Sequence, residues 1–234
     1  ISSIMDVATR DGNSKKLTGT AGVGPLTSKF TLEGPLGSEK TTFLVGGRVT
    51  YSNWLLKQIP DDAYKNSKAS FYDLMVNFSH TFSDKDRIYI SAYTSSDKFK
   101  LNEDSTYSYQ NKNAIVKWKH NFNGKLYSVL STFINQYDYK VEGRSNPKDA
   151  FDLKFGVQQL GAKLDFKFNP NNKHDINFGV QHLLYTVRPG ERQPLDASSL
   201  VGPLKVQEEK ATETSVYLGD QYALTDNLSV QAGI

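Results

Sequence analysis

Gln159-Leu-Gly-Ala-Lys-Leu-Asp-Phe-Lys-Phe168 decides the fold class of this chain. Leu160, Ala162, Leu164, Phe166 and Phe168 fall on one side of an extended backbone, and Gln159, Gly161, Lys163, Asp165 and Lys167 on the other. Side chains of a strand alternate between faces, whereas a helix spreads such residues around its circumference. The stretch is therefore a strand with one apolar and one polar face.

The same period recurs on both sides of it. Tyr72, Leu74, Val76, Phe78 and Phe82 oppose Asp73, Asn77, Ser79 and Thr81. Ala114, Val116, Trp118 and Phe122 oppose Lys117, Lys119 and Asn121. Ile176, Phe178, Val180 and Leu184 oppose Asn177, Gly179 and Gln181, and Phe43, Val45, Val49 and Tyr51 oppose Arg48 and Thr50. Leu126 to Tyr139 is ambiguous, with apolar and polar residues on both faces. Helical periodicity is nearly absent, and the expectation is an all-β, antiparallel chain of about eleven strands.

Composition narrows the classes. No stretch approaches the roughly 20 apolar residues of a membrane-spanning helix. With 13 Tyr, 13 Phe and 2 Trp there is ample ring surface to bury, which argues against disorder. Lys and Arg number 28 against 25 Asp and Glu, too even a balance for electrostatic binding of nucleic acid. The absence of Cys excludes disulfides, thiolate metal sites and cysteine nucleophiles. Four scattered His residues have no metal-ligand spacing, and His80 and His120 each lie two residues from a Phe that precedes a short turn, while His182 has no evident role. No Ser/His/Asp spacing suggests catalysis, and no cofactor is expected. A mean hydropathy of −0.52 does not exclude a membrane, because a transmembrane β-barrel keeps its apolar band in every second residue.

The connections alternate in length. Short polar turns occur at Gly37–Lys40, Ser83–Arg87, Asn123–Lys125, Asn169–Lys173 and Thr225–Asn227. Longer polar segments, expected to be loops, lie between them at Asn53–Ser70, Ser96–Asn111, Gly143–Asp152 and Pro189–Lys210. Short turns at one end and long loops at the other, joined by strands of about ten residues, are the pattern of an outer-membrane β-barrel. Phe82, Phe122 and Phe168 each precede a short turn on the apolar face, where a periplasmic aromatic belt is expected. Neither end of the chain carries a start or a closing signal, and an odd number of strands leaves lipid-exposed edges. The chain reads as an internal piece of a longer protein.

The N-terminal run Ser3-Ile-Met-Asp-Val-Ala-Thr-Arg-Asp-Gly-Asn13, with Gly19 and Gly22 after it, resembles the end of the plug domain of TonB-dependent outer-membrane transporters. Phe30-Thr-Leu-Glu-Gly-Pro35 through Phe43–Tyr51 resembles the opening barrel strands of the Bacteroidetes members, and Val216–Ile234 a mid-barrel hairpin of the same family. The resemblance implies that residues 1–13 are the last plug strand and 14–234 the N-terminal half of a 22-stranded barrel. It implies import of a glycan, peptide or metal chelate, driven by an inner-membrane TonB complex acting through a region missing here. A surface lipoprotein lid is a further implied partner.

On this reading the lumen-facing candidates are Arg48, Asp73, Asn77, Lys117, Lys119, Gln159, Lys163 and Asp165, with Lys167 beside them. For any single one of them the simpler alternative is that it hydrogen-bonds the plug or water and never touches substrate. A lipid-exposed Lys163 would contradict the register. Trp54, in the apolar loop Trp54-Leu-Leu-Lys-Gln-Ile-Pro60, is the candidate for an extracellular contact, or else packs within its own loop. Two competing functions stand beside the importer: a non-transporting structural or docking barrel, and a soluble all-β binding module.

Overall fold

The computed structural model describes residues 9–60, 66–101 and 105–234. Residues 1–8 of the expected plug strand lie outside them. The described chain forms twelve strands: β1 (Thr18–Val23), β2 (Thr27–Pro35), β3 (Thr41–Thr50), β4 (Lys68–Thr81), β5 (Asp86–Leu101), β6 (Ser105–Asn123), β7 (Leu126–Gly143), β8 (Phe151–Phe168), β9 (His174–Pro194), β10 (Leu204–Lys205), β11 (Glu209–Thr225) and β12 (Leu228–Gly233). A short helix, α1 (Asn53–Leu56), follows β3, and a single 3-10 turn precedes β8.

All strands belong to one antiparallel meander. The path runs β1 to β9, then β11 and β12, with the two-residue β10 paired to β9 off the path. The path thus holds eleven strands, as the sequence leads one to expect. Among the described residues β1 and β12 do not pair, so the sheet is open at both edges.

Residues directly opposite in neighbouring strands point to the same side, so register carries a face across the sheet. One rung runs Val76, Ala92, Ala114, Ile134, Leu160 and Leu184 through five strand pairs. Further rungs add Trp118, Leu130, Leu164, Val180 and Val216. This face is apolar and uncovered: Leu160 is 50% exposed, and Phe30, Leu74, Val116, Leu130 and Val180 are exposed with it. A soluble monomer rarely leaves so large an apolar surface open.

Burial is inverted relative to a soluble domain. Among the described residues, only Leu44, Val141, Ala150 and Leu183 of the hydrophobic residues are buried, whereas Thr42, Asn77, Ser79, Ser95 and Ser131 are buried on the opposite, polar face. The accessible surface is 15672 Å², against about 11,000 Å² for a compact folded monomer of this mass. The sheet is a single layer, and its stability lies in the ladder of main-chain hydrogen bonds and cross-strand pairs.

Strands β4 to β9 and β11 are longer than the ten or so residues that the sequence suggests. β8 has 18 residues and β9 has 21. At about 3.3 Å per residue, 18 residues reach roughly 60 Å. One of the expected long loops, Ser96–Asn111, is mostly strand, since β5 and β6 pair from Asp86↔His120 up to Leu101↔Ser105, whereas Gly143–Asp152 is a connection in which only Gly143, Phe151 and Asp152 lie in strands. Part of the third, Pro189–Lys210, is also strand, since β9 continues to Pro194. These segments read as loops because both of their faces are polar, which hides the alternation without weakening the ladder. The ambiguous Leu126–Tyr139 lies wholly within β7. Its polar-face apolar residue Phe133 lies across Gly161 of β8, where a Cβ would stand 2.3 Å from the ring.

Candidate functional site: the polar face of the sheet

The eight candidates singled out in the sequence share one face. Arg48 lies directly opposite Asp73, Lys119 opposite Arg87, and Gln159 opposite Asn135. Lys163 stands on that face opposite Ser131 and Gln181, away from the apolar band.

Their contacts divide the face into three zones. Near the first strands, Arg48 donates through Nε and Nη2 to Asp73 Oδ2 at 2.8 and 2.6 Å, and its guanidinium lies 4.9 Å from the Phe71 ring centre. Midway along the strands, Asn135 donates to Gln159 Oε1 at 2.8 Å, and Gln159 Nε2 donates to the Tyr185 hydroxyl at 3.0 Å. This uncharged rung bridges β7, β8 and β9. Towards the short turns the face is lysine-rich. Lys163 pairs with Asp165 at 2.7 Å, Lys167 with Asp175 at 2.7 Å, and Lys119 lies 4.5 Å from the Tyr127 ring. Asp165 also accepts from the Tyr217 hydroxyl. Beyond the apolar band, Tyr109, Tyr139 and Phe155 stack on the polar side at 4.9 and 5.8 Å.

One segment of the chain crosses this face. Arg10 grips Glu33 through both guanidinium nitrogens at 2.5 and 2.7 Å, and Asn13 N donates to the same carboxylate at 3.0 Å. Asn77 Nδ2 donates to the Arg10 carbonyl at 3.3 Å, and Arg87 donates to Asp11 at 2.7 Å. Gly12 lies so close to β3 that a Cβ there would meet the Phe43 carbonyl oxygen at 2.0 Å. Residues 10–13 thus hold to the polar face by matched charges and a glycine contact.

At the short-turn end of the apolar face, Phe82 is 61% exposed, Phe122 is exposed and Phe168 is half-buried. Sequence reading missed the ring system around them. Phe122 stacks on Phe166 at 6.5 Å, Phe166 on Phe178 at 5.0 Å, and Trp118 Nε1 and His120 Nδ1 both reach Asp86 Oδ1. His174 pairs with Asp220 at 2.6 Å beside Tyr222. His182, unexplained in the sequence, bonds the Thr214 hydroxyl directly opposite it at 2.8 Å.

At the other end, Trp54 sits in α1, 48% exposed, and its indole N–H is held by the Pro25 carbonyl at 3.0 Å. The start of this loop is therefore tied down onto the β1–β2 turn. In the loop after β9, Asp196 accepts from the Ser198 hydroxyl and backbone N–H, which keeps its carboxyl below the ordinary range.

No family model matches the chain, and no curated protein matches it in sequence. Solved structures do. The ferric preacinetobactin receptor BauA of Acinetobacter baumannii superposes with a TM-score of 0.64 at 11% identity, over 96% of this chain and 41% of the receptor. The ferripyoverdine receptor of the outer membrane of Pseudomonas aeruginosa gives 0.68 at 12% identity, over 93% of this chain and 35% of the receptor. The copper transporter OprC gives 0.71 at 10% identity, over 96% of this chain and 38% of the transporter. The chain spans about two fifths or less of these proteins. Together with the two-faced antiparallel meander, they show that its fold is that of a section of an outer-membrane receptor barrel wall.

Proposed function

We propose that this chain is part of the wall of a TonB-dependent outer-membrane importer, of the Bacteroidetes type that its motifs resemble. The apolar face meets the lipid bilayer and the polar face lines the lumen, with Arg48, Asp73, Asn77, Lys117, Lys119, Gln159, Lys163 and Asp165 on the path. Residues 1–13 are the end of the plug and 14–234 the first half of the barrel. The wall binds and guides a nutrient, whether glycan, peptide or metal chelate, and carries no catalysis of its own. An inner-membrane TonB complex supplies the energy through the rest of the plug, and the loops beside Trp54 offer a surface to a lipoprotein lid.

The observation that supports this best is the inverted burial, an open apolar face behind a polar face onto which Arg10, Asp11 and Asn13 are bonded. The test uses the full-length protein in its own host. Removing its energy-coupling segment is expected to reduce uptake of its nutrient to the level of a deletion strain, while the protein still fractionates with the outer membrane. Unchanged uptake overturns the importer. Recovery in buffer without detergent overturns the membrane wall.

A further inference from the structure

One rung of the polar face runs Tyr89, Lys117, Ser131, Lys163, Gln181 and Ser215 across β5 to β9 and β11. On β8 it lies three residues from Leu160 towards the short turns. On a strand tilted by about 40° that is roughly 8 Å along the membrane normal. Behind it the apolar face presents Trp118, Leu130, Leu164 and Val180, so the lysines of this rung are backed by lipid and point away from it. A low-dielectric wall behind a charge strengthens its field on the open side.

Most cations near this rung are answered. Arg87 bonds Asp11, Lys163 bonds Asp165 and Lys167 bonds Asp175, each at 2.7 Å, and Lys119 lies against the Tyr127 ring. Lys117 is exposed and has no ion pair or hydrogen bond among the described residues. Between Lys117 and Lys163 stands Ser131, only 6% exposed, whose hydroxyl has no partner among the described residues either. A buried hydroxyl without a partner is uncommon, because burial removes the hydrogen bonds of water and leaves nothing in exchange. Lys117, Ser131 and Lys163 border one cavity of about 340 Å³, together with Lys167, Asn177 and Tyr217. Its lining holds three ammonium groups against one carboxylate, Asp165, which already accepts from the Tyr217 hydroxyl.

We propose that Lys117, Ser131 and Lys163 form a binding site for a phosphate group of the imported solute, an inference that rests on the importer reading above. The two ammonium groups and the hydroxyl are donors aimed at one space, and a phosphate brings both the negative charge and the several acceptor oxygens that three donors need. Lys117 supplies the charge that no carboxylate of the wall cancels, and Ser131 gains the partner it lacks. The phosphate belongs to a passing solute. Residues 10–13 are bonded on β2 to β5, at Glu33, Asn77 and Arg87, and Lys117 on β6 stays exposed beside them.

The test is isothermal titration of inorganic phosphate into the full-length protein in detergent at low salt, with urea unfolding in vesicles alongside. The wild type is expected to bind phosphate at least tenfold more tightly than K117Q/S131A, with the two unfolding at the same midpoint. K117R is expected to stay within about twofold of the wild type, and so is K85Q/K173Q, changed only at the turns. The advantage of the wild type shrinks as salt rises. Equal phosphate binding by the wild type and K117Q/S131A overturns the proposal. A wild type that takes no phosphate overturns it too, and a lowered midpoint of K117Q/S131A then assigns the lysines to a carboxylate of the plug. Recovery of the protein in buffer without detergent overturns the membrane wall itself, whatever the rung binds.

Discussion

Phe133 fills the polar-face space that Gly161 leaves open, and Gly12 lets the chain lie directly on β3. Both contacts test at single residues. G161V forces the Phe133 ring out of place and is expected to cost about 1–3 kcal/mol, read by urea unfolding in phospholipid vesicles. A variant as stable as the wild type would mean that the ring does not rest there. G12V is expected to lift residues 10–13 from the wall, raising hydrogen exchange at the Asn13 amide at least tenfold, since that amide is held by Glu33. Unchanged exchange would show that the segment is held by something else. Neither contact is legible in the sequence. Gly161 and Phe133 meet only through the β7–β8 register, and Arg10 and Glu33 pair across a turn whose geometry the sequence does not specify. The face of the sheet on which Lys163 stands, by contrast, is legible from its own strand, because period-two alternation is local.

The elements were legible where one face is apolar and illegible where both are polar. β8 between Gln159 and Phe168 was read residue by residue. The upper parts of β5 and β6, rich in Ser, Asn, Lys and Tyr, read as a loop although their ladder continues without a break up to Leu101 and Ser105. Beyond the apolar band nothing selects for alternation, and stacked rings such as Tyr109 on Tyr139 lend cross-strand support instead. The two faces give a matched pair of tests. L164R puts a cation on the apolar face and is expected to cost about 2–4 kcal/mol at the bilayer midplane. N113R, at an exposed position on the polar face opposite Asn135 of β7, is expected to cost less than about 1 kcal/mol in the same vesicle unfolding assay. Equal penalties would mean that the two faces see the same solvent.

For the molecule as a whole, eleven strands follow one antiparallel meander whose end strands β1 and β12 do not pair among the described residues. Overall class, strand order and the two-sided character followed from alternation and turn rhythm, which need no tertiary information. The ring system around Asp86 did not, because it assembles residues from four strands at one height. The most direct measurement of the central claim uses the chain's natural lack of cysteine. Single cysteines placed in turn at positions 158 to 168 of the full-length protein in vesicles, each carrying an environment-sensitive fluorophore, are quenched by brominated lipid tails. The account expects strong quenching at 160, 162, 164 and 166 and weak quenching at 159, 161, 163 and 165, a strict period of two. Uniform quenching, or none at any position, would contradict a wall with lipid on one side and a lumen on the other.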